Sequence, residues 1–161
     1  MQELLPLAER IGTALKARGE TIAIAESSTG GLISAALLSV SGASAYFRGG
    51  GVIYTAQARL ALLGIPEPLP APVERAATQL YAELLATTAR DWLDATWGLG
   101  ETGAAGPDGN RYGDPAGHTW VALAGPTATA ANVRTGSSDR VFNMREFARQ
   151  ALELLAAALD A

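Results

Sequence analysis

From residue 2 to 18 apolar side chains recur at Leu4, Leu7, Ala8, Ile11 and Leu15. This is the spacing of one buried face of a helix, and Gly19 stands where such a helix would end. The period then changes. Thr21-Ile22-Ala23-Ile24-Ala25 is a short apolar run rich in β-branched residues, as expected of a strand covered on both faces. A polar turn, Glu26 to Gly31, separates it from a second helical run, Leu32–Leu38. Ser41–Ser44 reads as a loop. Gly49-Gly50-Gly51 leads into a predicted strand at Val52-Ile53-Tyr54, with a short helix following to about Leu63.

Four prolines between Pro66 and Pro72 rule out helix and sheet interior there, since each removes an N–H and fixes its φ. An amphipathic helix is predicted from Val73 to about Leu93, and a strand at Thr96–Gly100. A second glycine-rich loop spans Glu101–Asn110. Strands near His118–Ala124 and Thr129–Thr135 precede a closing helix, roughly Asn143–Leu159. Helices alternating with strands predict an α/β fold, with helices on both faces of a mixed, mostly parallel sheet. No repeat or second composition regime interrupts the chain, so residues 1–161 are expected to form one domain.

Composition narrows the function classes. The chain has 161 residues, 48% apolar and 17% charged, with a net charge of −4. That is a core-forming composition. No cysteine is present, which excludes a disulfide scaffold, a thiolate metal site and a cysteine nucleophile. The start, MQELLPLAERIG, lacks the basic head and apolar run of a secretion signal. No run reaches the roughly 18 apolar residues that a membrane span requires. A cytoplasmic protein without membrane association is expected. The 12 basic residues are scattered, without the clustered face that neutralises nucleic-acid phosphates, so no nucleic-acid partner is expected. Eleven of them are arginine, and Lys16 is the only lysine.

Two segments carry candidate chemistry. Glu26-Ser27-Ser28-Thr29-Gly30-Gly31 joins a strand to a helix, where unpaired amides and small residues suit an anion or an oxyanion. A serine held there has the setting of a nucleophile; equally, Ser28 and Thr29 suit plain helix caps. Thr102-Gly103-Ala104-Ala105-Gly106-Pro107-Asp108-Gly109 follows another strand, and in open α/β sheets such loops meet at one ligand-binding edge. His118 has no partner carboxylates at ligand spacing, so a packing role is expected and no metal. Trp92, Trp97 and Trp120 are expected in the core. Among Arg140, Arg145 and Arg149, a residue at a helix start has the reach to hold a phosphate.

In combination these segments resemble the C-terminal domain of the CinA (competence/damage-inducible) family. Ala25-Glu26-Ser27-Ser28-Thr29-Gly30-Gly31 is similar to its AES(C/S)TGG motif. Gly42-Ala43-Ser44-Ala45-Tyr46-Phe47 and Val52-Ile53-Tyr54 match the next block, and Thr102–Gly109 through Pro115, Gly117 and Trp120 match its TGIAGPxGG…KPVGTVW block. The resemblance implies a nicotinamide-nucleotide amidase, hydrolysing a carboxamide to a carboxylate and ammonia without metal or cofactor. It implies Ser27 as nucleophile, a site shared with Ser44 and Tyr54, and self-association into a homo-oligomer. Substrate contacts are expected from Glu26, Thr29, Gly30, Gly31, Ser44, Thr102, Gly103, Ala105, Gly106, Arg140 and Arg145.

The chain departs from that pattern at the base. The family's Y-x-x-x-A-K segment reads Tyr54-Thr55-Ala56-Gln57-Ala58-Arg59, and a guanidinium does not release its proton near neutrality. Asp114 replaces a lysine, and Glu101 replaces an apolar residue. Glu101 is therefore the expected substitute base, with Arg59 reassigned to an oxyanion or a phosphate. The expected function is a divergent amidase acting on nicotinamide mononucleotide or a related amide; the alternative is a nucleotide-binding domain without catalysis.

Overall fold

The computed structural model describes residues 1–161. The elements are α1 (Leu5–Arg18), β1 (Ile22–Glu26), α2 (Leu32–Leu38), β2 (Phe47–Val52), α3 (Ala56–Leu63), α4 (Gln79–Trp92), β3 (Trp97–Ala104), β4 (His118–Ala124), β5 (Thr129–Arg134) and α5 (Arg140–Asp160). One five-stranded sheet has the order β2-β1-β3-β4-β5. β1 runs parallel to both β2 and β3, while the β3–β4 and β4–β5 ladders are antiparallel. Four strands therefore point one way and β4 alone is reversed.

Strand alternation assigns the two faces. Ile22, Ile24, Trp97, Leu99, Val121 and Leu123 pack with Ile11, Leu15, Ile33, Phe147's neighbour Ala148, Leu152 and Leu155, which places α1, α2 and α5 on one side. Ala23 and Ala25 face Ile53, Leu63, Tyr81 and Leu85, which places α3 and α4 on the other. The connection out of β1 thus uses one face and the connection out of β2 uses the other. The chain reverses its winding beside β1, and a crevice opens beyond the carboxyl ends of β1, β2 and β3.

The element boundaries differ from expectation in four places. β2 begins at Phe47, with Gly49–Gly51 inside the strand and paired to Ala23–Ala25. β3 continues through Glu101 to Ala104, because β4 pairs with it from Gly98–Ala124 to Ala104–His118. α4 starts at Gln79, capped by the Thr78 hydroxyl accepting from the Tyr81 amide at 3.2 Å. Just before it Ala77 has φ 58°; its amide donates to Thr102 Oγ1 at 3.1 Å and its carbonyl meets His118 Nε2 at 3.1 Å. These tertiary bonds hold 73–78 out of the helix. Finally, α5 starts at Arg140, capped by Asp139, whose carboxylate accepts from the Phe142 amide at 2.9 Å. Trp97 is buried, but Trp92 is 67% exposed and outside the core.

Candidate functional site

The crevice holds a cleft of about 590 Å³ whose lining includes Ser27, Tyr54, Arg59, Tyr81, Thr102 and Gly103. A volume of that order suits a small-molecule ligand. A neighbouring hollow of about 270 Å³ adjoins Ser28, Tyr54, Gly103, Ala105, Gly106 and Arg140. Tyr54, Gly103 and Asn110 are common to both. The two glycine-rich segments therefore meet at one edge of the sheet, with Ser27, Tyr54, Arg59, Thr102, Gly103, Ala105, Gly106 and Arg140 around it.

Parity along the strands explains which side chains reach the cleft. On β1, Glu26 continues the Ile22–Ile24 face under α2, so the next residue, Ser27, turns toward the α3/α4 face and the cleft. On β3, Glu101 continues the Trp97–Leu99 face and Thr102 turns toward the cleft. The β1–β3 ladder ends at Ala25–Gly100, which puts Glu26 and Glu101 side by side beneath the β1–α2 turn.

Glu101 is fully buried and does not line the cleft. Its Oε2 accepts from the amides of Ser27 at 3.0 Å and Thr29 at 3.1 Å. Its Oε1 accepts from Thr119 Oγ1 at 2.6 Å and from the Ser28 hydroxyl. Both carboxylate oxygens are thus engaged by the β1–α2 turn and Thr119, away from the cleft where a base was expected. Glu26 is also fully buried. It accepts from the Ile33 and Ser34 amides at 3.1 and 3.0 Å and from Thr29 Oγ1 at 2.7 Å. Glu26 and Thr29 thus cap α2 rather than face a ligand. Gly30 and Gly31, at φ 65° and 98°, supply the left-handed turn that glycine tolerates, and they too lie outside the cleft lining.

Two further expectations are corrected. Ser44 sits in the turn Ala43–Ala45 before β2, and the following Tyr46 carbonyl accepts from the Ile22 amide at the start of β1. That is the opposite edge of the sheet from Ser27. Arg145 is exposed on α5 and lines neither hollow. Arg140, by contrast, donates to the Gly106 carbonyl at 2.6 Å and to the Tyr54 hydroxyl at 3.2 Å, tying α5 to the loop after β3.

Arg59 is 6% exposed. It donates to the Pro66 carbonyl at 3.3 Å and forms an ion pair with Glu67, while its Nε has no partner. Burial works against its charge, but Glu67 and the adjoining Tyr81 hydroxyl outweigh burial and hold the guanidinium above its ordinary range. Burial also pushes Tyr81 up, so Tyr81 is a phenol and not a base. No side chain accepts a hydrogen bond from Ser27 Oγ. No three acidic or histidine side chains converge in a metal-ligating group.

The cleft also contains residues that sequence reasoning did not single out: Glu67, Arg75, Tyr81, Arg111 and Tyr112. Arg75 grips Asp114 with two nitrogens, at 2.6 and 3.3 Å, and the guanidinium groups of Arg75 and Arg111 lie 5.1 and 5.0 Å from the Tyr112 ring centre. Their only signal was position, in the proline-rich connector, in the predicted amphipathic helix and just past the second loop. Asp114, where a lysine was expected, is thereby an anchor for this wall. Arg75 holds its carboxyl below the usual carboxylate range. A carboxyl lowered by folding adds stability above its unfolded pKa, near 4, and that stability disappears as pH falls through the lower folded value. Denaturation midpoints measured from about pH 7 to about pH 2 are expected to separate wild type from Asp114→Asn at neutrality and to converge as pH falls through the lowered folded value.

The comparisons agree with this architecture. The family model for the CinA C-terminal domain matches residues 4–159. A CinA-like protein of Anaeromyxobacter sp. (strain Fw109-5) is 46% identical over 145 residues, 90% of this chain and 35% of its own length. One from Acaryochloris marina is 41% identical over 74% of this chain and 28% of its own length. The chain thus spans about a third of the curated relatives that it matches. Among solved structures, the competence/damage-inducible protein CihA of Agrobacterium tumefaciens superposes with a TM-score of 0.87 at 31% identity, covering 98% of this chain and 96% of that one. A CinA superfamily protein from Klebsiella pneumoniae gives 0.88 at 26% identity, with 98% of both chains covered. By the residues its family model matches, its identity to curated relatives and its superposition on solved members, this chain belongs to the CinA family, as a CinA C-terminal domain.

Proposed function

We propose that the cleft binds a small anionic ligand of the pyridine-nucleotide class and does not transfer an acyl group to Ser27. The observation that carries this reading is the state of Arg59. Where an amidase of this family type would hold its lysine base, this chain holds a buried cation paired with Glu67. The other carboxylate advanced for that task, Glu101, is saturated by the β1–α2 turn. General base catalysis needs a proton acceptor in hydrogen-bond reach of the nucleophile, and Ser27 Oγ is hydrogen-bonded to no side chain. The remaining equipment suits binding: Arg111 and Arg140 have no acidic partners, Tyr54 and Tyr112 offer partly exposed rings, and the hollow has the volume of a ligand site.

Titration calorimetry with nicotinamide mononucleotide, run beside an ammonia-release assay, tests the proposal. Binding without ammonia release above the buffer rate is expected. Arg140→Ala is expected to weaken binding about tenfold, the scale of one charge-assisted contact. Ammonia release that disappears in Ser27→Ala would overturn the binding-only reading. That outcome would support the second reading, a divergent amidase, which one observation favours: Ser27 Oγ is unpaired and faces the cleft.

A further inference from the structure

We infer that Arg59 makes this cleft selective for a ligand carboxylate over the matching carboxamide. The inference rests on reading the cleft as a binding site rather than a hydrolytic one. Its starting point is a polar atom left without a partner. Arg59 is more than nine-tenths buried and lines the cleft, yet its Nε neither donates to the protein nor reaches solvent. A buried N–H of a charged group without an acceptor is unfavourable, and such atoms are rare enough in folded proteins to need an explanation. Here a single side-chain atom of this kind occurs, and its residue lines the cleft.

Guanidinium chemistry specifies the missing acceptor. Nε–H and the adjacent Nη2–H form one edge of a planar fork that matches the two oxygens of a carboxylate. Only half of that edge is used: Nη2 meets Glu67 and the Pro66 carbonyl, and Nε meets nothing. Glu67 is a stand-in carboxylate of modest hold. Its side chain is 69% exposed and lies on the proline-rich connector, so it is free to turn out into water. A ligand carboxylate replacing it takes both donors at once. The phenol of Tyr81 and the unpaired hydroxyl of Ser27 line the same cleft as further donors.

A carboxamide fits this edge poorly. It offers one acceptor oxygen, and its NH₂ group would face a second N–H donor with nothing to accept from it. The discrimination follows from unpaired donors in a desolvated wall, which is where hydrogen-bonding sites reject isosteres most strongly.

Calorimetry with nicotinate mononucleotide and nicotinamide mononucleotide, which differ only in this group, tests the inference. The acid is expected to bind at least tenfold more tightly. Arg59→Gln is expected to erase the preference, and Glu67→Gln to strengthen acid binding severalfold by removing the competitor. Equal affinities in wild type, or a preference that survives Arg59→Gln, would overturn it. Should neither nucleotide bind, the ligand class proposed above fails, and the fragments benzoate and benzamide still decide the present point. With ¹⁵N-arginine labelling of the wild-type protein, benzoate is expected to shift the Arg59 Nε–H resonance while benzamide leaves it in place. An unmoved resonance at saturating benzoate counts against the inference, and this readout needs no variant to fold.

Discussion

Glu101→Ala is expected to lower the unfolding free energy by about 3–5 kcal/mol, the scale of a few buried hydrogen-bond donors left unpaired together. The carboxylate is fully buried and collects the amides of Ser27 and Thr29 and the hydroxyls of Ser28 and Thr119. Truncation leaves those donors facing an empty volume, and each unpaired buried group costs roughly 1–3 kcal/mol. The Thr29 hydroxyl does not share the burden, because its proton is committed to Glu26 at 2.7 Å rather than to Glu101 at 3.1 Å. Glu101→Gln keeps one acceptor oxygen but turns an NH₂ group toward donors, so about half of the loss is expected. Urea midpoints read by circular dichroism measure both variants. An alanine variant within about 1 kcal/mol of wild type would mean that water enters and satisfies the turn. A loss of the expected size would establish Glu101 as the residue that sets the path of the backbone carrying Ser27.

That same residue shows how far the sequence is legible. Its position beside the motif marked it as chemically notable, and the resemblance marked it as unusual. Its orientation was also present in the pattern. Trp97, Leu99 and Glu101 share the parity of one sheet face, which is the core face, while Thr102 has the opposite parity. Ending the strand at Gly100 concealed this, because a residue in a loop has no fixed parity. β3 runs on only because β4 returns to pair with it, a long-range contact that no local window contains. The same explanation covers Gly49–Gly51, which local propensity places outside a strand and the β1 ladder draws into β2.

The cleft was legible by halves. Ser27, Thr102, Gly103 and Gly106 come from segments whose motifs announce a turn at a strand end, Tyr54 from a predicted strand and Arg140 from the closing helix, and the fold brings all of them to one edge of the sheet. The opposite wall comes from Glu67, Arg75, Tyr81, Arg111 and Tyr112, where the sequence shows only a proline-rich connector, an amphipathic helix and a loop end. Their grouping depends on Ala77 being held between Thr102 and His118. His118 was expected to serve packing, and it does so from a buried position against that segment. Arg59 belongs to both halves: its identity was a sequence observation, but its ion pair with Glu67 and its unpartnered Nε are tertiary facts.

Gly100→Ala is expected to destabilise the protein by about 3 kcal/mol or more, at the upper end of the cost of overpacking a core. An added Cβ would lie 2.7 Å from the Ala86 amide nitrogen and 3.1 Å from Leu85 Cβ. These atoms belong to the body of α4, so no rotamer change relieves the contact and the helix as a whole must rise from the sheet. At the neighbouring Gly98 a Cβ would lie 2.8 Å from Arg90 Cβ, one helical turn further on. Two glycines of the same parity on β3 therefore form a flat track on which α4 rests. The consequence reaches the cleft, because α4 carries Tyr81 beside Arg59, and its cap Thr78 follows the Ala77 that faces Thr102. Lifting α4 is expected to move the Arg59 Nε–H resonance in the unliganded protein and to weaken ligand binding together with the loss in denaturation midpoint. A conventional core cavity, such as Leu155→Ala behind the opposite face, is expected to lower stability by about 2–5 kcal/mol while leaving that resonance in place. Native stability in Gly100→Ala would mean that α4 is not seated on the β3 backbone, and the wall holding Tyr81 would then owe its position to the connector and its contacts with Arg59.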